Sequence, residues 1–320
     1  MAEVQSSSLQ VKDMVQPSKK KKRRDPHQIS PISNLFLNLS IGFFALICVF
    51  PFIFVIMISL TDEKVLAVKG YSIWPEKFSL AAYKYIFEAG DQLLRSFGVT
   101  VLITVIGTLI SLAMITMYAY AISRKSFPYR NFFTFFAFFT MLFNGGMVPT
   151  YIVVTQFLHL QNTIWALILP LSMNAFFLLV MRTFFQTTVP DAIIESAKID
   201  GAGEFRTFLQ VVLPVSLPGI ATIGLFSTLG YWNDWFNALL YIDEPNLVPL
   251  KSMLMRIQNT MEFITANSNM LPGTEDMAAT LPQESVRMAM VVLATLPIAC
   301  AYPFFQKYFV QGLTVGAVKG

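Results

Sequence analysis

Six apolar runs divide the chain, near residues 34–60, 96–122, 132–158, 163–183, 215–242 and 286–308. A helix needs about 20 apolar residues to cross a bilayer, and each run supplies them. Lipid satisfies no backbone hydrogen bonds, so runs of this length are expected to be helices. They are apolar nearly all round, and periodicity therefore leaves their ends open by several residues. The pattern predicts an all-α membrane protein of six transmembrane helices. Between the runs lie polar segments, of which 61–95, 184–214 and 243–285 are the longest internal ones.

Several runs are interrupted. Asn144-Gly145-Gly146 and Pro149 break the third, Pro170, Ser172 and Asn174 the fourth, and Pro297 and Pro303 the sixth. Irregular backbone at membrane depth is tolerated where it lines a cavity or packs on protein, so these breaks fit a path between helices and dense packing equally. In the fifth run Gly224 and Thr228 have the small-xxx-small spacing that lets helices approach closely. That run also carries Trp232-Asn233-Asp234-Trp235, a carboxylate in otherwise apolar surroundings. Tryptophan faces stack on sugar rings, and Asn and Asp hydrogen-bond hydroxyls. An interfacial aromatic belt around a polar hinge fits the same residues. Asn144, Asn174, Trp232, Asn233, Asp234 and Trp235 are the candidates for a substrate path.

Charge orients the runs. The 320 residues are 55% hydrophobic and only 13% charged, against roughly 25% charged in a soluble domain. The basic groups collect in alternate segments: Lys19 to Arg24 within 1–33, then Arg124, Lys125 and Arg130, then Lys198 and Arg206. The intervening segments 61–95 and 243–285 are balanced or acidic. The positive-inside rule puts the N-terminus in the cytoplasm, and six spans return the C-terminus there. Residues 1–33 are then a polybasic cytoplasmic arm ahead of a membrane domain over 34–320, with a basic run suited to anionic lipid rather than nucleic acid. Segment 184–214 becomes a cytoplasmic loop and 243–285 an outer insert, with a helix expected from Lys251 to Ala266. Residues 78–94 suit either a helix along the membrane surface or a loop with interfacial aromatics.

The most ordered polar stretch is Pro190 to Pro218. Pro190 suits a first helical turn, and Asp191 complements the helix dipole there. Ile193, Ile194, Ala197 and Ile199 form an incomplete apolar stripe, and Gly201 is a helix stop. A second short helix is expected from Glu204 to Val212, ended by Leu213-Pro214. The segment therefore reads as helix, glycine turn, helix.

Glu195-Ser196-Ala197, Asp200-Gly201-Ala202 and Leu213-Pro214 resemble, in order and spacing, the cytoplasmic signature loop of ABC importer permeases. Ser196 replaces the alanine of that pattern. Tyr118 to Ala121 ahead of Ser123-Arg124-Lys125, and the tail from Phe304 to Gly320, are similar to the carbohydrate-uptake members, maltose-type permeases among them. The resemblance covers most of the chain after residue 34. It implies the type I importer permease fold and a bacterial plasma-membrane location. It implies that Asp191, Glu195, Ser196, Ala197, Asp200, Gly201, Ala202, Leu213 and Pro214 couple the membrane helices to an ATPase. The partners it implies are a second, homologous permease subunit, two ATP-binding cassette subunits that bind ATP and magnesium, and an extracytoplasmic sugar-binding protein, with lipid around the spans.

The chain has no phosphate-cradling Gly-x-x-x-x-Gly-Lys-Ser/Thr sequence, no nucleophile with its base, and no metal-ligand spacing around His27 or His159. Cys48 and Cys300 lie in apolar runs and read as buried hydrophobes. It is therefore expected to be no enzyme and to carry no cofactor or metal of its own. An ion-coupled secondary transporter is the rival reading, and it needs carboxylate or histidine relays at mid-membrane. Only Asp234 offers itself. A lipid-bound scaffold is a third reading, resting on the basic arm.

Overall fold

The computed structural model describes residues 31–88, 90–267 and 282–317. Most of the polybasic arm and part of the outer insert lie outside the described residues. Among those described there is no β-strand, only one isolated antiparallel bridge between Thr61 and Phe78.

The chain divides into two compact units, Met1–Phe52 and Ile53–Gly320. Helix α1, Pro31–Ser59, gives its first part to the former and its end to the latter. Its apolar side chains are exposed along nearly its whole length, Phe36 at 70% and Leu46 at 71%. Cys48 is exposed, not buried, and so is Cys300.

The second unit is built on α4, Gly90–Ser123. Before it come α2, Glu63–Lys69, and α3, Ala81–Phe87. The surface helix offered for 78–94 is therefore only the short α3, and the long helix begins at Gly90 instead of near 96. Among the described residues three helices are long and apolar enough to cross a membrane: Ile32–Ser59, Gly90–Ser123 and Gln283–Cys300. Counting each bent pair as one span raises this to six.

The bends fall at the polar interruptions. Helix α5, Arg130–Leu142, turns by 113° into α6, Met147–Ile152, which continues as a wide π-turn through Phe157. The break is Asn144-Gly145-Gly146, where Gly146 takes φ +88° and donates its N–H to Asn144 Oδ1. Helix α7, Ile164–Ile168, tightens into a 3-10 turn and meets α8, Ala175–Thr188, at 51°. Asn174 caps α8, accepting from the Phe177 N–H at 3.2 Å.

After α8 come α9, Asp191–Ile199, α10, Glu204–Thr207, and α11, Leu213–Val215. Helix α12, Leu217–Asn233, follows an 83° bend. The fifth run does not stay helical to 242: the chain breaks at Asp234-Trp235 and resumes as α13, Phe236–Tyr241. Helix α14, Leu250–Ala266, occupies the expected place in the outer insert, and α15, Gln283–Ala317, closes the chain.

Helix α4 packs on α8 and α12, and α12 also packs on α15. Close approach of α4 and α12 depends on one glycine. The Tyr231 ring lies over Gly107, where a Cβ would come within 2.5 Å of ring carbon Cζ. The buried Tyr231 hydroxyl donates to the Ile168 carbonyl at 3.0 Å and pairs with Ser111 Oγ at 3.0 Å, so the ring's polar end is satisfied. One core cluster joins the first half of α4 to α7, α13, α14 and α15. A second joins its last turns to α8, α9 and the stretch 208–212. The start of α15 is pinned by Glu63, whose carboxylate accepts the N–H groups of Glu284 and Ser285 at 3.0 Å and the Ser285 hydroxyl at 2.7 Å. These are donors that a helix start would otherwise leave unpaired.

Candidate functional site

Helix α9 begins at Asp191, with Pro190 as its N-cap in extended conformation. It ends in a Schellman turn: the Ala202 N–H donates to the Ala197 carbonyl at 2.9 Å and the Gly201 N–H to the Lys198 carbonyl at 3.0 Å. Gly201 takes φ +79°, which glycine adopts without steric cost. Gly203 then caps α10. The second short helix does not stop at Leu213-Pro214. It widens into a π-turn over Phe208–Val212 and continues through α11 to Val215, and the bend comes at Ser216. Pro214 has no N–H for a helical bond to Gln210, and its ring would clash with that carbonyl. The wide turn just before it accommodates both effects.

Most of the segment faces outward. Asp191, Glu195, Ser196, Lys198, Ile199, Asp200, Gly201 and Glu204 are exposed, while Ala197 and Ala202 are partly covered. Ile199 is 86% exposed and Phe205 65%. The apolar stripe expected on α9 is thus mostly surface, and Ile194 alone is buried, at 5%. It joins the second core cluster with Phe185, Val189, Phe208 and Val212. Fully burying such a side chain stabilises by roughly 1.5–3 kcal/mol. One anchor therefore fixes a short helix whose remaining surface is free.

The rest of the grip is electrostatic and comes from the end of α4. Lys125 Nζ lies 3.0 Å from Asp191 Oδ2, and an Arg124 Nη lies 3.7 Å from Asp191 Oδ1. The hydrogen bond from the Lys125 ammonium holds the Asp191 carboxyl below the usual carboxylate range, with Arg124 adding to the effect. The Tyr120 hydroxyl donates to Glu204 Oε2 at 2.9 Å, and Lys198 Nζ lies 2.6 Å from Glu204 Oε1. Arg124 is buried and sits 5.3 Å from the Tyr120 ring centroid. Tyr120 in turn packs on Phe208 at 5.1 Å between centroids. A cavity of about 450 Å³ opens between the end of α4 and α10, walled by Tyr120, Arg124, Phe127, Phe205 and Phe208, with Glu204 at its polar side. The sequence alone does not assign Tyr120, Arg124, Lys125 and Glu204 to the site. The available signal was the four-residue spacing of Tyr120 and Arg124, which puts both on one face of the last helical turn.

The candidates for a substrate path do not form one cluster of free side chains. Trp232 is 8% exposed; its indole N–H donates to the Ala294 carbonyl at 2.8 Å and its ring meets Phe97 edge-on. Its faces are used in packing α12 on α15 and α4. Asp234 caps α13, accepting from the Asn237 backbone N–H at 3.3 Å and from Asn237 Nδ2 at 3.0 Å. Asn233 is exposed, with Lys251 Nζ 3.5 Å from its Oδ1. Trp235 is partly buried, and its carbonyl accepts from Ser252 Oγ. Asn144 is exposed and turns its carbonyl onto Gly146, as described above. Among the described residues no three His, Cys, Asp or Glu side chains are grouped as a metal site would require.

Comparison with known proteins bears on this arrangement. Residues 119–315, which include the end of α4 and the whole exposed segment, match the family described as binding-protein-dependent transport system inner membrane component. The chain is 41% identical over 293 residues to the polygalacturonan/rhamnogalacturonan transport system permease protein YtcP of Bacillus subtilis strain 168, covering 90% of this chain and 99% of that one. It is 40% identical over 282 residues to Protein LplC of the same organism, 88% and 93% covered. It is 27% identical to the arabinooligosaccharides transport system permease protein AraQ of Halalkalibacterium halodurans, 91% and 98% covered. The fold is similar to the crystal structure of a bacterial ABC transporter involved in the import of the acidic polysaccharide alginate. There the TM-score is 0.72 at 26% identity, covering 88% of this chain and 99% of that one.

Proposed function

The chain belongs to the binding-protein-dependent transport system inner membrane components, and from that premise we propose that it carries an oligosaccharide into the cytoplasm, driven by ATP hydrolysed in separate subunits. It is a permease of the bacterial plasma membrane and not an enzyme. Its system includes a binding protein and an ATPase. The fold matches type I importer permeases. The sugar-transporting relatives support a carbohydrate cargo.

The finer assignments are part of the proposal. Six spans cross the membrane, with both termini cytoplasmic. A second, homologous permease completes the pathway, and a sugar-binding protein delivers cargo on the outer side. Two ATP-binding cassette subunits sit below. The chain lacks the phosphate-cradling sequence, so ATP and magnesium belong to those subunits. Asn144, Asn174, Asn233 and Trp235 are the residues we place along the path, with Trp232 and Asp234 shaping its walls.

The observation that carries the coupling role is the exposed α9–α10 turn, anchored by Ile194 and tied to α4 through Asp191 and Glu204. A surface of this kind can be pushed without unfolding, and α4 delivers the movement to the helix pair at the centre of the unit. Asp191, Glu195, Ser196, Ala197, Asp200, Gly201 and Ala202 form the contact. Leu213 and Pro214 keep the preceding turn wide. Gly201→Asp is expected to insert normally but to separate ATP hydrolysis from sugar uptake in reconstituted vesicles. Normal uptake by that variant removes the role given to the turn. Uptake that persists with ATP after ion gradients are collapsed distinguishes this mechanism from an ion-coupled carrier.

A further inference from the structure

A groove of about 420 Å³ lies between α5 and α8, apart from the coupling turn and from the breaks assigned to the path. One end is polar, with Arg182, Asn131 and Thr134 in its wall; the other is walled by Phe135, Phe138 and Leu179. Seven residues separate Asn131 from Phe138 along α5, about 10 Å at 1.5 Å per residue. Arg182 is partly buried. Its Nε donates a long 3.4 Å bond to the Ile122 carbonyl at the end of α4. Among the described residues no carboxylate lies within ion-pair distance of it, whereas Arg124 and Lys125 both face Asp191. The Thr134 hydroxyl is already donated to the Arg130 carbonyl, so Arg182 and Asn131 supply the groove's free donors.

A partly buried guanidinium with unused N–H groups, above an aromatic slot between two helices, suits an amphiphile with an anionic head. We propose that this groove holds an anionic phospholipid, its phosphate on Arg182 and Asn131 and an acyl chain along Phe135, Phe138 and Leu179. Guanidinium N–H groups pair with phosphate oxygens two at a time. Arg130, at the start of α5, adds attraction for a negative headgroup and repels a cationic one. Bound there, the lipid would join α5 to α8 and to the end of α4, the helix that grips the coupling turn.

The test uses the complete transporter, purified in mild detergent, with phosphatidylglycerol as probe and native mass spectrometry as readout. The wild type is expected to retain one phosphatidylglycerol per permease chain in preference to phosphatidylcholine. Arg182→Gln should lower retention about tenfold, and Arg182→Lys should recover most of it. Thr134→Trp, which fills the groove and leaves the guanidinium in place, should also abolish retention. Unchanged retention in both Arg182→Gln and Thr134→Trp overturns the proposal. So does displacement of the lipid by soluble glycerol phosphate, which would mark a simple anion site. Crosslinking of a cysteine at Phe135 to another subunit, in place of lipid, overturns it as well. Should Arg182→Gln fail to assemble, the Thr134→Trp measurement decides alone. Sugar uptake measured in parallel keeps this outcome separate from the coupling role of α9.

Discussion

The Tyr120 hydroxyl donates to Glu204 at 2.9 Å across 84 residues of sequence. The same carboxylate takes Lys198 at 2.6 Å, so the end of α4, the end of α9 and the start of α10 meet on one side chain. Asp191 makes the matching contact at the other end of α9 through Lys125. Each short helix is thus held to the end of α4 by one carboxylate, and a force on the exposed turn has a direct route into the 34-residue helix on which the second unit is built.

Tyr120→Phe and Glu204→Gln are expected to loosen this route without unfolding the protein. A hydrogen bond to a charged group is worth about 1.5–3 kcal/mol when buried. Here Glu204 is more than half exposed, so solvent screening should leave about 1 kcal/mol or less. The expected result is normal insertion, and ATPase activity that responds several-fold less to sugar-loaded binding protein. A response equal to wild type in both variants shows that the turn is coupled by other contacts.

The Asp191–Lys125 pair should show in the pH dependence of stability. Its partners lower the Asp191 pKa in the folded protein. A depressed folded value means that the contribution is present above the unfolded pKa, about 3.9. It is lost as pH falls through the folded value. Both side chains are largely exposed, so the contribution is a few tenths of a kcal/mol. Asp191→Asn should unfold slightly earlier than wild type at pH 7 in thermal scans, with the gap closing as pH falls below the ordinary carboxylate range. A gap that widens in acid contradicts the assignment.

At Gly201 the backbone itself makes the prediction. With φ at +79°, a β-branched side chain is strained by roughly 1–2 kcal/mol, while asparagine tolerates the region. No atom lies within 4 Å of the place where a Cβ would stand, so the strain is conformational and not steric crowding. Gly201→Asn should keep most uptake activity and Gly201→Val should lose most of it. Equal activities would mean that the turn is not held in this conformation during transport.

How far the sequence disclosed this arrangement depends on which interaction decided each part. The apolar runs marked the membrane helices because bilayer length and backbone satisfaction constrain them strongly, and the glycine stop at Gly201 was visible because few residues take that conformation. The bends were visible only as interruptions. Asn144-Gly145-Gly146 marked a break, but an interruption alone does not specify the 113° angle of the turn there. Pro214 looked like a helix end and instead sits just after a π-turn, since a helix can widen by one residue to admit a proline. Trp232 and Asp234 fitted a substrate path or a polar hinge in an aromatic belt equally; the fold uses the Trp232 N–H on α15 and the Asp234 carboxylate at the start of α13, a break that the apolar run to 242 did not disclose. The carboxylate Glu204 and its partner Tyr120 are far apart in sequence, and only the fold brings them together.

The packing of α4 on α12 yields the sharpest structural prediction. A Cβ at Gly107 would lie 2.5 to 2.8 Å from three atoms of the Tyr231 ring, which cannot retreat while its hydroxyl is bonded to Ile168 and Ser111. Gly98 lies on the same helix with nothing within 4 Å of the corresponding position. Gly107→Ala should therefore destabilise by about 1–3 kcal/mol through overpacking, whereas Gly98→Ala should be neutral or stabilising by up to about 1 kcal/mol through helix propensity. Thermal unfolding in detergent, followed by loss of monodisperse protein, compares the two directly. Tyr231→Leu in the Gly107→Ala background should restore part of the loss, since it removes the colliding ring at the expense of two hydrogen bonds. If Gly107→Ala matches Gly98→Ala, α4 and α12 do not approach as closely as the ring position requires.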